Sequence, residues 1–333
     1  MMEFAKLVCP DCKTAITQAG SDTWTCTKCK RTFSINQGIL SFLTPEQRFN
    51  EGTYEKKQIE NWSYTANLRK RIKASRILTF LNSIRIAVSM SGRRDRLFLK
   101  ELKGRKCRVF TILDLGCGGG RQYFCDFGRV VGIDPVVELL HIAREHYDEV
   151  YQCSGFDLPF ADESFDYVVS SDVIGHISDQ NKDQLLSEIH RVLKPGGRTV
   201  HCSEALGANP WWTFALKYPD LFREHFIDKP GHIGMELPSK IRERFLKHGF
   251  KEVRFRKLSS LIQEPGTLVA FFDNEYKTKS RLIAFFVAID RLLSRSFLFK
   301  EMLNFLLEPV SQLDDWLTPL DYGNGALIVY EKI

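Results

Sequence analysis

Long apolar runs are missing from this 333-residue chain. The longest, Leu282 to Ile289, is eight residues, far short of the roughly 20 that a membrane-spanning helix needs. The N-terminus, Met1-Met2-Glu3-Phe4-Ala5-Lys6, reaches a cysteine pair without the apolar stretch of a secretory signal. A soluble, cytoplasmic protein is expected, with peripheral membrane contact left open and no oligomeric state indicated. Internal repeats are absent, which argues against a repeat architecture. A disulfide framework is also excluded: nine cysteines are an odd number, and no secretory context accompanies them. Composition is otherwise ordinary for a globular protein, with 44% hydrophobic and 26% charged residues.

Charge of one sign is scarce except in one place. Between Tyr64 and Arg108 there are 14 Lys/Arg against 2 Asp/Glu, a local +12, so the net +6 of the chain leaves −6 for the remainder. This stretch carries apolar residues at helical spacing (Leu68, Ile72, Leu78, Leu81, Ile84, Ile86) and breaks at Ser91-Gly92. It suits a phosphate-bearing partner, an anionic membrane surface or a solvated helix face. A short helix is predicted over Asp95–Leu102.

From Val109 onward strands alternate with helices, the rhythm of a parallel sheet with crossover helices. Strands are predicted at Val109–Asp114, Arg129–Asp134, Glu149–Cys153, Phe165–Ser170, Arg198–Ser203, Lys251–Phe255 and Ala326–Tyr330. Helices are predicted at Glu138–His146, Asp179–Leu193 and Ser239–His248. An apolar insertion, about 274–320, precedes the last strand and reads as helical.

The first strand, Phe110-Thr-Ile-Leu-Asp114, runs into Leu115-Gly-Cys-Gly-Gly-Gly-Arg121. Glycines at such a strand end let a ligand's polar end approach backbone N–H groups. A dinucleotide fingerprint, G-x-G-x-x-G, places its third glycine where Arg121 stands. The pattern is instead D-x-G-x-G-x-G. A carboxylate at the strand end suits a ligand that carries an ammonium group. Twenty residues on, Gly132-Ile-Asp-Pro135 ends the second strand, and an acidic side chain there can accept from both hydroxyls of a ribose. The competing reading is a tight turn followed by a helix cap at Asp134.

Residues 109–204 resemble the core of class I S-adenosylmethionine-dependent methyltransferases, especially the subgroup typified by ubiquinone- and menaquinone-biosynthesis enzymes. Four stretches match in order: Asp114–Gly120, Gly132–Pro135, Phe156–Phe160 with Phe165–Val169, and Leu193–Gly197. The resemblance implies a Rossmann-like α/β fold with a seven-stranded sheet and helices on both faces. It also implies roles. Asp114 with Gly116, Cys117 and Gly118 would hold the methionine end of S-adenosylmethionine. Asp134 would hold the ribose, with Pro135 beside the adenine. Asp157 would accept from the adenine amine while Phe156 and Leu158 pack on its ring. Ser170 and Ser171 would line the methyl end, and Asp166 is structural.

Methyl transfer needs alignment and exclusion of water more than a catalytic group. His176, six residues past Ser170, is the candidate general base for a hydroxyl acceptor; packing or helix capping is its competing role. His201 and Glu204 also lie at the strand edge where ligands sit. Trp211, Trp212, Phe214 and Tyr218 read either as an apolar acceptor pocket or as a buried flap.

Cys9-Pro-Asp-Cys12 and Cys26-Thr-Lys-Cys29, separated by 13 residues, have the spacing of a closed four-thiolate zinc site. Trp24, Phe33, Ile39 and Leu40 make too small a core to fold without metal. Iron is the alternative occupant. The module 1–43 is similar to the zinc ribbon that activates certain tRNA and protein methyltransferases, and to ribbons fused to RNA and small-molecule enzymes. The resulting organisation is a ribbon (1–43), a basic helical linker or cap (44–108) and a methyltransferase domain (109–333).

Three functions compete: methylation of a small-molecule, lipid or glycan acceptor; methylation of ribosomal or transfer RNA held by the ribbon and the basic stretch; and a non-catalytic, cofactor-binding activator of a partner. Apolar and aromatic additions favour the first. No Asn-Pro-Pro-Tyr-like base-flipping signature follows the fourth strand, where Ser170-Ser171-Asp172-Val173 stands.

Overall fold

A computed structural model describes residues 6–44, 60, 93–103, 110–228, 230–258, 261, 288 and 297–333. The apolar positions from Leu68 to Ile86, Cys107 and most of the insertion lie outside the described residues.

The described strands form one sheet in the order β1-β2-β3-β4-β7-β6-β5-β8-β9-β11-β10. Its heart is β5 (Phe110–Leu115), β6 (Gly128–Asp134), β7 (Glu149–Gln152), β8 (Phe165–Ser171) and β9 (Leu193–Glu204), all parallel to their neighbours. The last strand, β11 (Gly325–Lys332), inserts antiparallel between β9 and β10 (Phe250–Leu258). These seven strands are the expected Rossmann-like sheet.

The sequence-based expectation of a seven-stranded sheet beside a separate ribbon needs correction. β1 (Ile16–Gln18), β2 (Thr23–Cys26), β3 (Thr32–Asn36) and β4 (Ile39–Ser41) form an antiparallel meander. β4 then pairs parallel with β7 through Ser41 and Gln152, giving eleven strands in all. The free edge of β7 had unpaired backbone groups to satisfy, and the meander covers it. The Leu193-Lys-Pro-Gly-Gly197 stretch, expected to stop a helix before the strand, is itself the start of β9.

Alternation along the strands loads both faces. Ile112, Val130, Tyr167, Val169 and Val200 face α1 (Arg93–Lys103) and α2 (Val137–Ala143). Leu113, Val131, Ile133 and Val168 face α3 (Asp179–Val192) and share a core with Ile241 and Phe245 of the later helix Pro238–Lys247. That second core continues into the ribbon through Ile16, Phe33 and Phe42.

The described part of the insertion is a helix, Phe297–Leu317, which is inside out. Glu308, Ser311 and Asp315 are buried. Arg93 of α1 donates to Ser311 (3.1 Å) and Asp315, and Arg96 donates to Glu308 (2.6 Å). Met302, Phe305, Leu306, Val310, Leu313, Trp316 and Leu317 face outward, Trp316 at 79% exposure. The face this helix turns to α1 is polar because Arg93 and Arg96 of α1 offer guanidinium groups there. Among the described residues no helix is long and apolar enough to cross a membrane.

Candidate functional site

β5 and β6 are neighbours, so their C-terminal ends carry Asp114 and Asp134 to one edge of the sheet. The intervening glycine loop turns sharply, with Gly116, Gly118 and Gly120 at φ +62, +53 and +77°. A Cβ on Gly116 would meet Val173 Cγ2 at 2.6 Å, so this position needs glycine for space as well as for conformation.

Asp114 is buried, and Tyr147 donates to its Oδ2 at 2.6 Å. The Arg121 backbone N–H donates in turn to the Tyr147 hydroxyl at 2.6 Å. Burial pushes the Asp114 carboxyl up to about 7, against the opposing pull of Tyr147 and Arg121. Such a group is poised to ionise when a cation arrives beside it. Asp134 accepts from the Gly118 N–H through Oδ2 and the Val136 N–H through Oδ1, each at 2.9 Å, and burial raises it to about 6. The aspartate after β6 thus shapes the loop after β5. Cys117 is buried, its N–H donating to Ile133 O at 2.9 Å. Pro135 is fixed by Gln152, which donates to its carbonyl at 2.8 Å and accepts from Asn36 of the ribbon at 2.9 Å.

Asp157 and Phe156 are partly exposed on the loop after β7. Gln184 of α3 donates to Asp157 Oδ1 (3.2 Å) and to the Phe156 carbonyl (3.0 Å). Leu158 is fully buried in the core shared with the ribbon, and its N–H donates to Glu188 at 2.7 Å. Lys13 of the ribbon reaches the same Glu188 oxygen at 2.8 Å, and Val8 N–H donates to Pro159 O at 2.9 Å. Ser170 is buried and its hydroxyl pairs with His201 Nδ1 at 2.7 Å; Ser171 is partly exposed and donates to Asp172 at 3.1 Å. His201 is also bonded to Thr199 and held neutral by burial, down to about 3. It is a packed histidine inside the sheet, not a group at the ligand edge.

The other side of the cleft is built from Asp172, His176, Glu204 and His232. Asp172, with φ +61°, follows β8 and pairs with Arg94 of α1; Arg121 lies 3.9 Å away. Although burial opposes ionisation, Arg94 holds Asp172 low, at about 2. Glu204 is pushed well above its usual value by burial and by Asp172 beside it. His176 and His232 have ring centroids 4.7 Å apart. Burial lowers both, and His232 falls to about 4 because His176 adds to that effect.

The loop bearing His232 is held by two devices. Trp212, Phe222 and Phe226 pack with ring centroids 5.0–5.3 Å apart, and Phe226 O accepts from His232 Nδ1 at 3.1 Å. Buried Lys182 of α3 bonds Gly234 O and, at 2.6 Å, Glu236. Of the aromatic run, Trp212 is therefore part of a packed flap, while Trp211 stays partly exposed and donates to Leu261 O at 3.1 Å. Tyr147, Arg94 and His232 carry no motif. Only their tertiary positions reveal them.

The four ribbon cysteines bring their sulfurs within 4.8 Å of one another. Cys9–Cys29 and Cys12–Cys26 sulfurs are 3.6 and 3.4 Å apart. That is far beyond a disulfide and near the roughly 3.8 Å expected between thiolates sharing one zinc ion at about 2.3 Å. Lys13 and Lys30, the residue after each Cys-x-x-Cys, both adopt left-handed φ (54 and 63°), so the two knuckles are conformationally alike. Hydrogen bonds from Thr14 hold the Cys12 thiol down at about 6, which favours the thiolate that a metal needs.

Comparison with known proteins agrees with this geometry. A family model described as a methyltransferase domain matches residues 113–201. The chain is 38% identical over 109 residues to the probable tRNA methyltransferase 9B of Homo sapiens, covering 32% of this chain and 23% of that protein. It is 33% identical over 130 residues to a ubiquinone biosynthesis O-methyltransferase of Bradyrhizobium sp. (strain ORS 278), covering 36% and 49%. The chain thus spans less than half the length of these relatives. Among solved structures, phosphoethanolamine N-methyltransferase 2 of Haemonchus contortus, in complex with S-adenosyl-L-methionine, is 23% identical with a TM-score of 0.46, covering 73% of this chain and 53% of that one. The methyltransferase-domain match thus falls on residues 113–201, the stretch that carries the glycine loop, Asp114 and Asp134.

Proposed function

We propose that this protein methylates a small-molecule, lipid or glycan acceptor. The observation that carries the reading is the apposition of Asp114, the glycine loop and Asp134 at the ends of adjacent parallel strands. S-adenosylmethionine, when bound, supplies an electrophilic methyl group on a sulfonium.

Asp114 pairs with the donor's ammonium group, and Tyr147 keeps that carboxylate oriented. Gly116, Cys117 and Gly118 offer backbone to the methionine end, Asp134 the ribose contact, and Pro135, Phe156 and Asp157 the adenine end, while Leu158, expected there, is buried in the core shared with the ribbon. Ser171 closes the methyl end, while the Ser170 hydroxyl is turned inward onto His201. His176 takes the proton of a hydroxyl acceptor. Its Nδ1 faces Gly231 O at 3.0 Å, which leaves the lone pair on Nε2. The ribbon, with zinc on Cys9, Cys12, Cys26 and Cys29, braces the adenine-side loop through Lys13 and Val8. The outward apolar stripe of the Phe297–Leu317 helix supports an acceptor or membrane surface of lipid character.

The +12 stretch supports a second reading, an RNA acceptor. Purified protein is incubated with labelled donor and separate RNA, lipid and small-metabolite extracts. Label is expected in the lipid or metabolite fraction, and label confined to RNA selects the second reading. Calorimetry of the donor against wild type and Asp114→Asn tests the donor site; donor binding that ignores the substitution overturns that assignment. A protein that binds donor but labels nothing is instead a non-catalytic activator.

A further inference from the structure

Three side chains from distant parts of the chain converge across the cleft from the glycine loop. His176 lies on the turn after β8, Glu204 ends β9, and His232 sits on the loop before the Pro238–Lys247 helix. One ring nitrogen of each histidine and one carboxylate oxygen of Glu204 lie within 4.8 Å of one another. His232 Nε2 and Glu204 Oε1 are 3.9 Å apart.

The second partners are equally specific. His176 Nδ1 donates to Gly231 O at 3.0 Å and His232 Nδ1 to Phe226 O at 3.1 Å. Metal-ligating histidines are fixed in this way, with one N–H on a backbone carbonyl and the other nitrogen presenting its lone pair. The Glu204 carboxyl is hydrogen-bonded to Asp172 beside it, which orients it next to the two rings, as the carboxylates of metal sites are oriented by their own partners. Ligand atoms sharing one ion at about 2.0–2.2 Å stand roughly 3–3.5 Å apart. Small side-chain rotations therefore close the set. The charged groups around it are Asp172, Arg94, Arg121 and Asp95, two carboxylates against two guanidinium groups.

We propose that His176, Glu204 and His232 bind a divalent transition-metal cation of the zinc class. Two imidazoles and one carboxylate leave further coordination positions, open to an acceptor heteroatom. Binding of the cation stands independently of the methyl-transfer reading; only its catalytic consequence rests on that reading. With the ion present, His176 gives its Nε2 lone pair to the metal. The acceptor's O–H bond then breaks more readily, its proton passing to water, because the cation stabilises the anion left behind.

The full chain, stripped of metal, is titrated with Co²⁺ and Zn²⁺. Two equivalents are expected, one with the thiolate-to-cobalt charge-transfer bands of the cysteine cluster and one without them. His232→Ala and Glu204→Gln are each expected to weaken the second equivalent at least tenfold and leave the thiolate bands unchanged. Thermal melts and donor calorimetry confirm that both variants are folded. A single equivalent confined to the cysteines, or a second one indifferent to both substitutions, overturns the site. Loss of donor binding in a wild-type protein that still takes two metals overturns the methyltransferase reading alone.

Discussion

The two clusters of metal-ligating side chains are built in opposite ways. Cys9, Cys12, Cys26 and Cys29 fall within 21 consecutive residues, and each pair comes from one tight turn closed by a left-handed lysine. His176, Glu204 and His232 come from a turn, a strand end and a loop, and are held together by the Lys182–Glu236 clamp and a knot of aromatic rings. The first is a local object that offers four ligands and no open position. The second exists only once the sheet edge is assembled. Local clusters suit structure; clusters assembled at a sheet edge suit chemistry, because the ends of parallel strands are where ligands reach a sheet of this kind.

The contrast can be broken most forcefully at the ribbon. Cys26→Ser removes a buried member of the cysteine cluster, and folding coupled to zinc is worth on the order of 10 kcal/mol. Elemental analysis is expected to show one zinc equivalent lost. Donor affinity measured by calorimetry falls about tenfold, since Lys13, Val8 and Phe42 support the loop after β7 and its strand end. An unchanged donor affinity shows that the ribbon braces nothing. Lys182→Met breaks the buried pair with Glu236 and is expected to cost about 3–5 kcal/mol in chemical denaturation. It abolishes methyl transfer while the cysteine cluster keeps its zinc; equal loss of both metals defeats the idea that the clusters are separately assembled.

Gly116→Ala forces a Cβ onto Val173 in a left-handed backbone. A loss of about 1–3 kcal/mol is expected, with weakened donor binding and an unaltered ribbon. Asp114 gives a pH signature of two signs. Its folded value, about 7, lies above the ordinary 3.8. Between pH 4 and 7 the folded state therefore binds more protons than the unfolded chain, and this group's contribution to stability falls as pH rises. Donor affinity moves the other way, falling up to tenfold per pH unit below 7 as the carboxylate is neutralised. Asp114→Asn removes this group's share of both trends and leaves the smaller stability slope of Asp134, which burial raises to about 6; a donor-affinity slope that persists in calorimetry assigns that trend to another group. The smallest effect on folding is expected from Trp316→Ser, within about 0.5 kcal/mol because the ring is exposed. Its effect on sedimentation with anionic lipid vesicles is a several-fold loss, and unchanged sedimentation removes the lipid argument.

Much of the fold was legible in residue order. Strands such as Phe110–Leu115 and Phe165–Ser171 carry short apolar runs, and the turns between strands carry their own glycines and prolines. Boundaries moved by a few residues, and Leu193-Lys-Pro-Gly-Gly197, which reads as a breaker, opens β9 with only Leu193 of it paired to β8. At Phe297–Leu317 the sequence indicated a helix but not which of its faces is buried. The face that is buried there is set by Arg93 and Arg96, more than 200 positions away. In the cleft, Asp114, Asp134 and the glycines were marked by spacing, whereas Tyr147, Arg94 and His232 were silent. His201, equally visible in sequence, turned inward because its strand position faces Ser170 and the core.

By itself the sequence determined the glycine loop, the aspartates flanking it and the paired cysteine knuckles, since each is a short-range pattern whose backbone geometry its own residues dictate. Only the tertiary structure decided that the ribbon completes the sheet, that Tyr147 holds Asp114, and that two histidines and Glu204 share one corner. Those outcomes depend on burial and pairing between residues from tens to over two hundred positions apart, and neither residue of such a pair carries a local signal of the other.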